Sequence, residues 1–386
     1  MKKLLLIVFF ILSCKKPQTA LSPPPKKEPV KNHPYVVVVY SFGESGIKHN
    51  DMTEEKASIG SVLKSGDVLE TGPKTRVDIQ LEASIFRLHS NSRLVFKELT
   101  NTTDRKITKL ELQKGTIFCK IKKENPGDEF TIFSPSLVNQ ITGTELILSQ
   151  DEDRVSLKVL EGNVETYPRF RFLKDREPNE FLNSDSEFPI SSEVEKKKIK
   201  VFEGNELRFL ASDPRLNGIF LKEEEIVKYS RWISNIHFKS KKYEPKRMEE
   251  EEFKTLIPED VLLTHEMIAI HEELMSGTID EIRAEELEAR RSSIENQILK
   301  KQNREKEKFT KSIVKKPKRF KNHRALHSYY ERIEKIKLKN GRTEVGAILS
   351  QENGIVIMHT ERGIMRIPHD DIVDVVYDYQ RFNKIR

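Results

Sequence analysis

The chain has 386 residues, 36% hydrophobic and 33% charged, and 68 Lys and Arg stand against 61 Asp and Glu for a net charge of +7. Roughly 100–200 residues per domain allows two or three folded units, and so mild a basic excess argues against a dedicated nucleic-acid binder. Two cysteines exclude a disulfide framework and a cysteine-rich zinc site, and the composition is neither collagenous nor multi-spanning.

Met1-Lys2-Lys3 precedes the apolar run Leu4–Leu12, which ends at Ser13-Cys14 before Lys15 and Lys16. Two positive charges hold the amino end in the cytoplasm while the apolar run enters the translocation machinery. The run is nine residues long, whereas a spanning helix needs roughly 20. A small residue directly before a cysteine resembles the lipobox of bacterial lipoproteins. Leu12 is bulky where the commonest pattern has Ala or Ser, and relaxed lipoboxes of this kind resemble those of spirochetes. The resemblance implies a signal peptide over 1–13, cut so that Cys14 becomes the lipidated first residue and the membrane becomes a partner through that lipid. An ordinary secretory signal with an incidental cysteine is the alternative. Residues 14–34 carry six prolines and little apolar periodicity, as an extended tether does.

From 35 to 167 the texture is short β-branched runs between turn residues. Val36–Tyr40 reads as a strand buried on both faces, while Arg76–Leu81 and Ile85–Leu88 alternate with period two. Ile117, Cys119 and Ile121 share one face of another strand, so Cys119 reads as an inert core thiol. Turn signals recur at Gly66-Asp67, Gly72-Pro73, Gly115, Pro126-Gly127 and Gly162-Asn163. Many short strands so spaced predict an antiparallel β-sandwich or roll.

The order Leu63-x-x-Gly66-Asp67-x-Leu69-x-Thr71-Gly72, Ser92-x-Leu94, Leu112-x-x-Gly115, Ser134-Pro135, Gly143-Thr144 and Leu160-x-Gly162-x-Val164 resembles the FecR domain. Two departures, Glu82-Ala83-Ser84 at a hairpin and Phe133-Ser134-Pro135, touch turn detail. These are folding residues. Gly66, Gly115 and Gly162 suit positive φ or close backbone approach, Asp67 can cap its turn, Pro135 fits a strand edge, and Gly143 fits a bulge or tight bend. The resemblance implies a periplasmic signal relay. That relay needs a cytoplasmic anti-sigma segment and a spanning helix, which this reading does not find, so only the β domain as a periplasmic binding module is expected.

Residues 168–222 read as irregular, with a strand pair at 199–209 able to rejoin the β domain. Residues 223–312 read as helical: a stripe around Trp232, a helix with Pro258 in its first position running to Ser276, and a break at Gly277. Thr278-x-x-Glu281 reads as a capping box opening a further helix towards Lys311. Ile279, Ile282, Leu287, Ile294 and Ile298 make a thin stripe, as on a solvated strut or weak partner-binding helix. His265 and His271 are six apart and turn to different faces, unlike the i, i+4 pair of a zinc protease. No metal or cofactor is expected, and no phosphate loop, nucleophile elbow or dinucleotide fingerprint occurs.

Residues 313–332 form a basic linker, the end of a dense run from Lys300 to Lys321 that suits anionic lipid, lipopolysaccharide, acidic glycans or solvent alone. Residues 333–380, with Asn340-Gly341 and Asn353-Gly354 turns between five short strands, read as a small five-stranded barrel resembling Src-homology-3-like and Sm-like modules. His359 and His369 read as surface or turn residues.

The expected fold class is therefore mainly β with a helical insert. The expected function is that of a bacterial cell-envelope lipoprotein, anchored in the outer or inner membrane and facing the periplasm, that binds or signals without catalysis. Its partner would be an envelope protein, a glycan or peptidoglycan, and not nucleic acid. The alternative is a surface-exposed adhesin that takes acidic host or matrix polymers on its basic segment.

Overall fold

A computed structural model describes residues 35–102, 105–122, 125–152, 154–169, 197–210, 239–245, 247–258, 260–313, 316–330, 333–352 and 354–376. All belong to one compact unit running from Asn32 to Arg386. The signal peptide, Cys14, the tether and the Trp232 stripe lie outside the described residues.

From the amino end the strands are β1 (Val36–Phe42), β2 (Ser45–Lys48), β3 (Glu54–Lys56), β4 (Val62–Leu63), β5 (Val68–Thr71), β6 (Arg76–Leu81), β7 (Ser84–Leu88) and β8 (Arg93–Asn101). They continue with β9 (Lys106–Ile121), β10 (Glu129–Phe133), β11 (Leu137–Ile141), β12 (Thr144–Gln150), β13 (Arg154–Glu161) and β14 (Asn163–Pro168). Next come β15 (Ile199–Phe202), β16 (Asn205–Leu210), β17 (Ser240–Lys242) and the helices α1 (Arg247–Lys254), α2 (Val261–Met275), α3 (Glu281–Ile313) and α4 (His323–Tyr330). The last five strands are β18 (Glu334–Leu338), β19 (Thr343–Glu352), β20 (Ile355–Thr360), β21 (Gly363–Pro368) and β22 (Ile372–Val376).

β9 is the spine of the β domain. Its first half pairs with β8, and from Gly115 onward it pairs with β12, and over its last turns with β7. One ladder runs β4-β1-β6-β7-β9-β12-β13-β16-β17. The other runs β3-β2-β5-β8-β9-β10-β11-β14-β15. Between them lies a continuous apolar core that includes Ile79, Leu88, Leu94, Leu112, Cys119, Leu148 and Val164. The domain is β-rich as expected, and among the described residues the sheet stays open, with no closure into a barrel.

Two details depart from a purely antiparallel, hairpin-built domain. β10 pairs parallel to the first half of β9, although only residues 122–128 separate the two strands. The second half of β9 itself carries the chain across to the other ladder, which supplies the length that a parallel crossover needs. The 199–209 strand pair does rejoin the domain, but β15 adds to β14 and β16 to β13, one strand to each ladder.

The helical region corrects the strut reading, because it packs on the outer face of the first ladder. Val37 and Val62 meet Met267, Ile270, Leu287, Ile294 and Ile298 of α2 and α3. Val39, Ile85, Phe118 and Ile147 meet Phe253 and Leu256 of α1 and the turn after it. This cover is why β1 is buried on both faces, and why Asp78 and Gln80, at the polar positions of the alternating β6, are buried. Val39 is the extra residue where the β1–β6 register shifts, and its carbonyl accepts a hydrogen bond from the Gln302 side chain of α3.

The helix starts also differ from expectation. α2 begins at Val261 behind the N-cap Asp260, whose side chain accepts from the Leu262 N–H at 3.0 Å, and Pro258 precedes the cap. α3 is capped by Asp280, which accepts from the Arg283 N–H at 2.8 Å. The Thr278 hydroxyl is instead engaged with Ser276 at 2.9 Å. An Asp two residues nearer the helix wins because its carboxylate reaches the third helical N–H.

The C-terminal strands form an antiparallel sheet in the order β21-β20-β19-β18-β22. No ladder joins β21 to β22 among the described residues, so the expected barrel is an open sheet. It is nonetheless curled. Five strands laid flat span about 19 Å between edges, while the short turn His369–Asp371 joining β21 to β22 reaches at most about 15 Å. Ile336, Ile348, Val356, Met358, Ile367 and Ile372 fill the concave side. α4 covers the other side with Leu326 and Tyr330 against Ile333 and Ala347.

Candidate binding site

The resemblance residues fall into separate clusters. Gly66 and Asp67 close the turn between β4 and β5. Asp67 is fully buried and accepts hydrogen bonds from the Lys64 N–H at 2.9 Å and the Asn50 N–H at 3.1 Å. His49 Nδ1 stands 3.0 Å from the same carboxylate. The carboxylate therefore caps its own turn and also ties down the β2–β3 loop, a role for His49 and Asn50 that no spacing in the sequence announced.

Thr71 and Gly115 meet around Ser92, with Gly72 beside them on Asn91 and Glu44. The Thr71 hydroxyl donates to the His89 carbonyl at 2.5 Å and accepts from the Ser92 N–H at 2.9 Å. The Ser92 hydroxyl accepts from the Thr116 N–H at 3.0 Å, and the Gly72 N–H donates to the Glu44 carbonyl at 2.8 Å. Gly115 has φ +92, and a Cβ there would lie 2.0 Å from Ser92 Oγ. Only glycine lets β9 pass from one ladder to the other at this point.

Gly143, Thr144 and Gly162 form a third cluster. The Thr144 hydroxyl donates to the Asn163 carbonyl at 2.8 Å, and a Cβ on Gly162 would lie 2.7 Å from the Gly143 carbonyl oxygen. Pro135 sits in the turn between β10 and β11, not on a strand edge; the flanking Ser134 and Leu137 close that turn, Ser134 N–H to Leu137 carbonyl at 2.8 Å. Every one of these contacts is spent on folding, and none presents an open nucleophile or base.

The most chemically dense buried group was missed in the sequence. Arg87 is 1% exposed and grips Asp78 with two hydrogen bonds of 2.7 and 2.6 Å. Its remaining terminal nitrogen donates to Thr255 Oγ1 at 2.8 Å and to the Glu252 carbonyl at 3.3 Å. His89 Nε2 lies 3.1 Å from the Glu252 carboxylate, and its ring packs on Phe118. Residues from β6, β7 and α1 are joined here. Four of the five guanidinium N–H groups are held by these partners, so the cluster glues a helix to a sheet. Period-two alternation hid it, since a polar strand face looks solvated until a helix covers it.

Cys119 and His359 are also enclosed. Cys119 is fully buried, and burial pushes its thiol well above the ordinary range, which suppresses the thiolate. His359 is not a surface residue: it is fully buried in β20 with its Nδ1 2.6 Å from the Tyr330 hydroxyl. Burial, and then Lys316, hold its pKa below the usual histidine range. His369 lies in the turn before β22, edge-on to Phe42 at 5.4 Å. No cluster of three or more His, Cys, Asp or Glu able to hold a metal occurs among the described residues. There, too, no helix is long and apolar enough to cross a membrane.

A model of the family described as FecR protein matches residues 67–165. The chain carries a FecR domain. The match opens on Asp67 and takes in Thr71, Gly72, Gly115, Pro135, Gly143, Thr144 and Gly162, with Gly66 one residue outside. It runs from β5 to β14, whereas the ladders of the FecR domain extend on both sides of it, through β1 and β4 before and β15 to β17 after. No curated protein matches the chain. Two crystal structures of a protein assigned as an anti-sigma factor, from Parabacteroides distasonis, are similar at 9% identity and a TM-score of 0.29. The similarity covers 46% of this chain and 60% of that one, and at that score it carries no argument.

Proposed function

We propose that the chain is a bacterial cell-envelope lipoprotein, anchored through Cys14, whose FecR domain serves as a non-catalytic regulatory or binding module in the periplasm. The FecR match over residues 67–165 is the observation that carries this reading, because the family is regulatory in character and not typically enzymatic. The buried Asp78–Arg87 pair and the buried thiol of Cys119 support a domain that works by its surface. The anchor rests on the order Lys2-Lys3, Leu4–Leu12, Ser13-Cys14. Two or more acyl chains at about 0.8 kcal/mol per buried methylene hold a protein firmly to a bilayer.

Expression in a bacterial host with labelled palmitate and globomycin tests the anchor. Label on the mature chain, accumulation of a precursor with the drug, and loss of label in Cys14→Ala are expected; an unlabelled chain insensitive to globomycin overturns the anchor. Crosslinking of native envelopes followed by capture of the chain tests the binding role. A reproducible envelope partner is the expected result, and turnover of an envelope substrate by the purified chain overturns the non-catalytic reading.

A further inference from the structure

The positive charge of this protein is local. Residues 300–321 hold eleven Lys and Arg and two Glu, a net of +9, while the whole chain is +7, so everything outside this segment is net −2. Most of the segment is the carboxyl end of α3. At 100° per residue, Lys300, Arg304, Lys308 and Lys311 fall within about 80° of arc on one helix face, and all four are exposed. That face lies to one side of the stripe that buries Leu287, Ile294 and Ile298 against the β domain. Lys318, Arg319 and Lys321, also exposed, follow in the segment leading to α4.

From this arrangement we infer that the end of α3 is a docking face for an anionic lipid bilayer. Four charges along one face of a straight helix, about 16 Å from first to last, can meet a flat surface together. The rest of the chain sums to −2, so the densest attraction to such a surface lies at this segment. A polymer-binding groove would look different: base or sugar stacking uses exposed aromatic rings among the charges, and here Phe320 is packed against Tyr329 and His359. The choice of a bilayer over another polyanion rests on the lipid-anchor reading, under which the chain is held at a membrane.

Co-sedimentation of the full chain carrying Cys14→Ala with vesicles tests the face independently of lipidation. The vesicles are phosphatidylcholine alone or with one third phosphatidylglycerol, and the comparison chain adds Lys300→Gln, Arg304→Gln and Lys311→Gln, so that the apolar run Leu4–Leu12 is common to both. At roughly fivefold per basic residue near an anionic surface, the triple variant should bind the anionic vesicles about a hundredfold more weakly. Binding should also weaken steeply with salt. If the triple variant is misfolded by circular dichroism, Lys318→Gln with Arg319→Gln and Lys321→Gln, outside the helix, takes its place. Equal binding to neutral vesicles, or no loss in either variant, overturns the inference. Charge-dependent capture by dextran sulfate without vesicle binding also overturns it, in favour of an acidic polymer. Palmitate labelling fails or succeeds separately, so the two readings can be told apart.

Discussion

Gly115 is the residue with the least freedom to change. Its φ of +92 penalises any side chain, and a Cβ would sit inside Ser92. Left-handed backbone costs about 1–2 kcal/mol for alanine, and forcing Ser92 aside adds about 1–3 kcal/mol. Gly115→Ala should therefore destabilise by about 2–5 kcal/mol in urea unfolding, while Gly277→Ala, with nothing within 4 Å of its Cβ, should lose only the backbone part. Histidine sets the acid limit. His271 on α2 is packed edge-on to Tyr35 at 6.3 Å, and burial, then Arg291 and Lys64, hold its pKa below 6.5, with Glu55 opposing. His359 is shifted in the same direction. Each binds its proton more weakly folded than unfolded, so the unfolded chain takes up more protons and stability falls as pH drops below about 6.5. Melting temperature followed from pH 8 to 5 should decline, and His271→Gln should flatten part of that slope.

Among the elements, α3 carries a test of packing against propensity. Ile294 and Ile298 are fully buried on the β1 face, whereas Ile282 of the same periodic stripe is 72% exposed. Ile294→Ala or Ile298→Ala should cost about 2–4 kcal/mol, and Ile282→Ala should stay within about 0.5 kcal/mol of wild type by the same unfolding measurement. The cap gives a second contrast. Asp280→Ala should cost about 1 kcal/mol, and Thr278→Ala less, because the Arg283 N–H is held by Asp280. The motif Thr278-x-x-Glu281 was visible in sequence and misleading, because the Asp280 carboxylate holds the third helical N–H, that of Arg283.

For the molecule as a whole, the helices and the FecR domain share strands. Val36 belongs to the inter-ladder core and its neighbour Val37 to the helical core, so loss of α2 and α3 exposes a face of β1. The C-terminal sheet has its own core and touches the FecR domain through Lys74, whose ammonium donates to the Ile372 carbonyl at 3.1 Å, and through Phe42 on His369. Calorimetry should show the helices and the FecR domain melting together, with the C-terminal sheet as a separable transition. Val37→Ala should lower the first transition and leave the second in place. A single transition shifted as a unit by Val37→Ala would show instead that the Lys74 contact couples the two.

What is local in this protein was written in its residue order. Turn glycines, period-two strands, the Gly277 break and the FecR motif each depend on a few neighbouring residues, so β-rich texture and the matched domain were legible without coordinates. What depends on surfaces meeting across distance was not. Asp78 and Arg87 stand at the polar positions of alternating strands, the α3 stripe reads as a solvated strut or weak partner-binding helix and His359 as a surface or turn residue, because burial of a polar or thinly apolar face is a property of what covers it. The curled, open C-terminal sheet belongs to the same class: its five strands were countable, but whether the edge strands join depends on sheet curvature summed over all of them. Tertiary packing decides such questions because the free energy of burial and the desolvation of charge are set by neighbours far away in the chain.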